Sequence, residues 1–280
     1  MKLTIHEFDL PLRHPFNADW VFSFLAKRAI PGIEAVDGHC FSRTYGNGEV
    51  VRVRYRGDSL VVQVPSALVG TTAAILARTR RVFDLDAQSC VIDEQLGSDR
   101  TLRAWVDAAG GIRVPGVWDP LEGSVRAILG QQVSVERARV LATALVEAGG
   151  GAAFPDAEQL AGMEVAALGM PGTRGRAVSA LAARVAAAGD GFLEDASTVR
   201  AELTSIRGIG PWTAEYVAMR VARDPDAFPD SDWVVLKVLG CRPAAARRKS
   251  ACWQPWRAYA VMYLWYGSTT ADSATAKRTD

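Results

Sequence analysis

Histidine is scarce in this 280-residue chain: only His6, His14 and His39 occur, all ahead of the first predicted hairpin turn. No Ser-His-Asp arrangement or histidine-rich metal centre can be assembled from the later sequence. The four cysteines are Cys40, Cys90, Cys241 and Cys252; none forms a CxxC pair, and the nearest two are eleven positions apart. That spacing excludes a zinc knuckle or a four-cysteine iron–sulfur cluster, and buried free thiols are expected instead. No apolar run approaches the length of a membrane-spanning helix, so no membrane partner is expected. The opening MKLTIHEFDLPLRHPF places His6, Glu7 and Asp9 where a secretion signal would need an unbroken apolar core. A cytoplasmic protein is expected. Charge of one sign is also lacking overall, at a net +1. It is unevenly spread, however. From Trp233 to Ala271 there is no acidic residue, while Lys237, Arg242, Arg247, Arg248, Lys249 and Arg257 all fall there, enough for a local basic face.

What is present is ordinary for a globular chain: 49% hydrophobic and 22% charged residues. The length favours two domains, or one with an appended lobe. Residues 1–90 read as an α+β lobe. Strand-like segments HCFSRTY, EVVRVRYR and SLVVQVPS are separated by Gly46-Asn47-Gly48 and Gly57-Asp58, and Val51, Val53 and Tyr55 alternate with arginines. Helical stretches are expected near 19–28 and 67–83. Residues 84–112 show little regular pattern, and 91–112 read as a connection. From 113 to 267 the chain reads as helical: Asp119-Pro120 is a start signal, and Ser134 and Thr173 are candidate caps. The polar 268–280 reads as a disordered tail.

The most informative stretch is LTSIRGIGPWTAEYVAMR, residues 203–220. Gly208 and Gly210 flank Ile209, allowing a sharp turn and close approach of another molecule. Pro211 suits the first turn of a following helix. Helix, tight turn, helix is the outcome, with amide N–H groups directed at a phosphate, Thr213 as a further donor, and Ile209 plugging the gap. An ordinary helix connection would also satisfy that fragment. The run DPDAFPDSDWVVLK follows it.

Together, the hairpin and the FPDSD run resemble the helix-hairpin-helix DNA glycosylases. DPLEGSVRAILGQQVSVERA (119–138), LGMPGTRGRAVSALA (168–182), PWRAYAVMYLWY (255–266) and FNADWVFSFLAKRAIPGIEAV (16–36) are similar to the 3-methyladenine DNA glycosylase II family within that superfamily. The resemblance spans about residues 5 to 267. It implies an α+β protein whose N-terminal antiparallel lobe resembles half of a TATA-binding-protein fold, followed by an all-α glycosylase region. It implies double-stranded DNA containing damaged bases as partner, with no obligate protein partner. The implied activity is hydrolytic excision of alkylated bases such as 3-methyladenine and 7-methylguanine, in bacterial cytoplasm.

Residue by residue, the resemblance places the catalytic carboxylate at Asp232, which also reads as an N-cap for the helix beginning at Trp233. Breaking an N-glycosidic bond builds positive charge on the sugar, which such a carboxylate stabilises. Asp230 competes from the same loop, with Asp224 and Asp226 weaker. Some relatives use a lysine nucleophile two positions after the second hairpin glycine; here that position is Trp212, so base removal without strand cutting is expected. An aromatic pocket falls on Trp212, Tyr216 and Trp265, with Tyr266 adjacent, and would stack a cationic base. The other tryptophans, including Trp20 and Trp233, are assigned to packing. Gln132 falls at the position that fills the gap left by an extruded base, and Gln131 reads as pocket support. No cofactor is required; main-chain carbonyls of Thr204, Ile206 and Ile209 are candidates for a sodium or potassium ion. Two other readings stay open: a non-catalytic hairpin DNA-binding protein, and a glycosylase for hypoxanthine or oxidised guanine.

Overall fold

The computed structural model describes residues 4–46 and 48–276, with side chains described as far as residue 269. Five strands, β1 (Ile5–Pro11), β2 (Glu34–Asp37), β3 (Cys40–Tyr45), β4 (Glu49–Tyr55) and β5 (Ser59–Pro65), form one antiparallel sheet in the order β1-β5-β4-β3-β2. Val51 and Val53 are fully buried while Arg52 and Arg54 are exposed, as the alternation requires. Helix α1 (Ala18–Ala26) joins β1 to β2, and α2 (Thr72–Val82) follows β5. Phe22, Phe41, Leu60, Val62, Ile75 and Phe83 form the lobe's core.

The remainder is helical: α3 (Ser89–Gly97), α4 (Arg103–Ala108), α5 (Pro120–Leu129), α6 (Val135–Ala148), α7 (Ala157–Gly162), α8 (Gly172–Ala188), α9 (Val199–Thr204), α10 (Pro211–Arg220), α11 (Trp233–Leu239), α12 (Pro243–Lys249) and α13 (Arg257–Ala276). The class is α+β. Several caps follow their side chains. Asp119 accepts from the Glu122 amide at 3.1 Å and Ser134 from the Arg137 amide at 3.1 Å.

Four expectations are corrected. Residues 84–112 hold α3 and α4, which the sequence hides because each is short and lacks a side-chain cap. Thr173 caps nothing; α8 begins at Gly172 after Pro171, with no side-chain cap. Helix α13 continues to Ala276, so the tail expected from 268 is helical that far, and 277–280 lie outside the described residues. The thiols are free but not buried: Cys90 and Cys252 are exposed, and Cys40 and Cys241 are half-buried. At the surface, Cys90 donates to the His14 carbonyl and Cys252 to that of Lys249.

Two features weld the lobes together. Helix α1 is shared: Val21, Phe22 and Leu25 enter the sheet's core, whereas Phe24 enters the helical one. Beside it lies an ion quartet in which Arg43, Glu34 and Glu122 have buried side chains and Arg126 is half-buried. Arg43 on β3 donates to Glu34 on β2 at 2.6 Å and to Glu122 on α5 at 3.0 Å, and Arg126 donates to the same two carboxylates at 3.0 and 2.9 Å. Burial alone would raise the Glu34 carboxyl, but Arg126 and Arg43 outweigh it and hold it at about 2. Charges so buried tolerate no loss of a partner.

Candidate active site

Helix α10 starts where the hairpin ends. Gly208 has φ +98°, and a Cβ there would press on Ala177 and the Thr173 carbonyl of α8, so glycine is required twice over. Gly210 caps α10 in an extended conformation, and a Cβ on it would meet open space. Ile209 is buried in the helical core, where it closes the space between α9 and α10. Thr213 departs from expectation. It is 2% exposed, and its hydroxyl accepts from Gln131 Nε2 at 2.9 Å, so it sits inside a joint rather than facing outward. The same Gln131 amide donates to the Gly208 carbonyl at 3.1 Å, tying the GQQVS turn to the hairpin.

Trp212, Tyr216 and Arg220 recur at every fourth position of α10 and therefore share one face. Trp20, Phe24 and Arg28 repeat that spacing on α1 and the turn after it. The two rows meet across Trp265 of α13. Trp212 stacks on Tyr216 at 5.3 Å between ring centroids; Tyr216 lies 6.2 Å from Trp265, which stacks on Phe24 at 6.2 Å. These side chains line a cleft of about 1420 Å³, bordered by the GQQVS turn, the hairpin, Asp232 and Trp233. A cavity of that size accepts a nucleotide.

Asp232 is 6% exposed at the start of α11. Its Oδ1 accepts from the amides of Val234 and Val235 at 3.0 and 3.1 Å and from Trp265 Nε1 at 3.1 Å; Oδ2 accepts from Trp212 Nε1 at 3.1 Å. Capping and cleft-facing roles therefore coexist. Four donors fix the carboxylate, and the two indoles that hold it also form the aromatic wall. Asp230 is instead paired with Arg247, Asp226 with Arg257 at 2.7 Å, and Asp224 with Arg200 at 2.6 Å. None of these three lines the cleft. The basic run from Trp233 is thus partly neutralised by the loop before it.

Two expected positions move. Tyr266 is outside the cleft lining and packs edge-on against Trp20 at 6.1 Å, one layer back. Trp233 is not packing: it is 70% exposed at the cleft edge, with Lys237 Nζ 5.2 Å from its ring.

Sequence reasoning missed Trp20, Phe24, Arg28 and Arg220. Arg28 sits 3.6 Å over the Phe24 ring, and Arg220 is 4.8 Å from Phe24 and 5.5 Å from Tyr216. Arg220 also donates to the Tyr216 hydroxyl at 2.8 Å and to the carbonyls of Pro115 and Gly116 at 2.7 and 2.9 Å. Burial lowers the Arg28 guanidinium to about 10 despite the nearby Tyr216, with Arg220 adding to the effect, so it stays charged at neutral pH. Burial pushes the Tyr216 phenol up, but Arg220 and Arg28 outweigh it and leave it lowered. The four-residue spacing was the available signal on both helices.

Among the described residues, no group of three His, Cys, Asp or Glu could hold a metal ion. Of the hairpin carbonyls suggested for a monovalent cation, that of Ile206 already accepts from the Ile209 amide at 3.1 Å. Nor is any described helix long and apolar enough to cross a membrane.

A family model described as the AlkA N-terminal domain matches residues 7–119. The chain is 40% identical over 280 residues to a probable bifunctional transcriptional activator/DNA repair enzyme AlkA of Mycobacterium tuberculosis, covering 91% of this chain and 56% of that protein. It is 32% identical over 286 residues to DNA-3-methyladenine glycosylase 2 of Escherichia coli, covering 92% and 96%. The chain thus spans little more than half of the mycobacterial relative and nearly all of the other. Among solved structures, a 3-methyladenine DNA-glycosylase from Archaeoglobus fulgidus superposes with a TM-score of 0.80 at 18% identity, over 92% of this chain and 97% of that one. An 8-oxoguanine glycosylase/lyase from Clostridium acetobutylicum, in complex with double-stranded DNA, gives 0.73 at 17% identity over 97% and 100%. At those identities the likeness shows the fold.

Proposed function

Because the chain belongs to the AlkA family of DNA-3-methyladenine glycosylases, we propose that it extrudes alkylated bases from double-stranded DNA and hydrolyses their bond to the sugar, in the cytoplasm. The observation that carries this reading is Asp232, a carboxylate fixed by Trp212 and Trp265 at the edge of the cleft that those indoles line. A base seated among the rings brings its sugar to Asp232, whose charge opposes the positive charge developing there and orients the attacking water. Trp212 occupies the position where a strand-cutting relative would carry lysine, so the sugar stays in the strand. Gly208, Gly210 and the start of α10 supply amides for a backbone phosphate. A sodium or potassium ion on the carbonyls of Thr204, Ile206 and Ile209 would reinforce that contact without taking part in the chemistry.

A packed, non-catalytic hairpin protein would bury the aromatics away from a cleft; here they wall it. A second reading concerns the base. Ring faces attract a cationic base by roughly 0.5–2 kcal/mol per contact, yet Arg28 and Arg220 flank the same rings and repel it. That arrangement favours admitting uncharged purines with a carbonyl oxygen, such as hypoxanthine, alongside alkylated ones. Chromatography of the supernatant after incubation with methylated DNA tests the main reading. Free 3-methyladenine and 7-methylguanine are expected, and their absence at enzyme excess overturns it.

A further inference from the structure

A second, small cavity of about 30 Å³ lies where the two lobes meet, lined by Arg28, Arg126, Arg220, Glu34, Glu122 and Trp118. It has room for one particle a little larger than water. Its three arginines also line the cleft, so they stand as a partition between the two spaces.

The charges around it do not balance. With Arg43, which pairs with both glutamates, four guanidiniums meet two carboxylates. All four carboxylate oxygens already accept from Arg43 or Arg126. Among the described residues, Arg28 and Arg220 pair with no carboxylate. Arg220 is held only by the carbonyls of Pro115 and Gly116 and the Tyr216 hydroxyl, and Arg28 donates to the Phe24 carbonyl at 3.3 Å. The crowding is felt at Arg28, where burial, with Arg220 and Arg126 adding to it, outweighs Tyr216 and lowers the guanidinium to about 10.

Donors are in surplus as well. The Trp118 indole N–H and the Arg43 Nε–H are buried, and neither has a hydrogen-bond partner in the protein. They are neighbours, with the Arg43 guanidinium 5.8 Å from the Trp118 ring. A buried donor without an acceptor is destabilising. Water would accept from one, but it brings two hydrogens of its own to a place where every carboxylate oxygen is engaged. A monatomic anion accepts from all sides, donates nothing and offsets the excess charge. Phosphate and carboxylate groups exceed the space.

We propose that this cavity is a halide site, filled by chloride and held by Arg28, Arg126, Arg220 and the Trp118 indole N–H. Because Arg28 and Arg220 also face the cleft, the anion offsets the positive charge that they present to a bound base.

The test uses the full chain without DNA. Crystals grown in sodium bromide are expected to show an anomalous scattering peak inside the cavity. In solution the native chain is expected to melt roughly 2–4 °C higher in sodium bromide or chloride than in sodium gluconate of equal ionic strength, the effect on a chain of this size of an ion at about ten times its Kd. Trp118→Phe deletes one donor and should remove most of that difference. A cavity without a bromide peak overturns the proposal in favour of water. A peak with equal native melting points means an adventitious ion only, and an undiminished difference in Trp118→Phe means a general salt effect; either also overturns it. Should Trp118→Phe fail to fold, the bromide map and the native melts decide between the same outcomes.

Discussion

Replacing Asp232 by asparagine removes one negative charge and almost no volume. In the native site Oδ1 accepts three hydrogen bonds and Oδ2 one. The asparagine oxygen will take the Oδ1 position, keeping Val234, Val235 and Trp265, and its amide nitrogen will then face the Trp212 N–H. That donor-to-donor contact costs about 1–3 kcal/mol of stability, which a large domain tolerates. The chemical cost is greater. A unit charge about 4 Å from a developing positive charge is worth about 4 kcal/mol at an effective dielectric near 20, or about a thousandfold in rate. Single-turnover release of 7-methylguanine from a defined duplex, with enzyme in excess, measures it directly. A circular dichroism melt and abasic-duplex affinity report whether fold and binding survive, and both should. An Asp232→Asn variant that folds, binds and keeps a rate within tenfold of the native one would refute the role. The other loop aspartates offer no substitute, because each is held by its own arginine away from the cleft.

Trp212→Phe keeps a ring against Tyr216 but deletes the donor to Oδ2; a charged hydrogen bond of about 1.5–3 kcal/mol predicts a roughly ten- to hundredfold slower single-turnover rate, with a lowered melting point but a single cooperative transition. Arg28→Met should slow excision of hypoxanthine by about tenfold while leaving cationic 7-methylguanine as fast or faster, measured on matched duplexes; parallel losses on both would count against charge discrimination. Arg43→Met leaves Glu34 and Glu122 to share Arg126 alone and should cost about 3–5 kcal/mol in urea unfolding. Glu34 is held at about 2 when folded against 4.5 in isolation. Its stabilisation is complete above pH 4.5 and is lost as pH falls towards 2, about 3 kcal/mol in all. Asp84 has the opposite sign: burial raises it to about 6 despite Tyr259 and Arg113. Stability should therefore fall as pH rises from about 4 to 6, and Asp84→Asn should flatten that slope in pH-dependent melts.

Local patterns carried much of this molecule. Alternation placed β4, start signals placed α5 and α6, and the glycine-rich turn placed α10. Family resemblance placed Asp232 and Trp212, and the cleft joins them to Trp265 through two hydrogen bonds. What stayed hidden is long-range. Phe24 and Arg28 reach the cleft only because α1 serves both cores, and the resemblance covered their segment without singling them out. Arg43, Glu34, Glu122 and Arg126 read as ordinary surface charges until β2, β3 and α5 meet. Trp233 could not be told from a core tryptophan, since exposure depends on how α11 is seated rather than on its own period.

The most direct measurement of the whole account is a denaturing gel of a duplex carrying one 7-methylguanine, incubated with and without the native protein and run with and without a brief, mild alkali step that leaves the protein-free strand intact. The account predicts an intact strand before alkali and a single break at the lesion after it. A break before alkali, or an unbroken strand in both lanes, contradicts it.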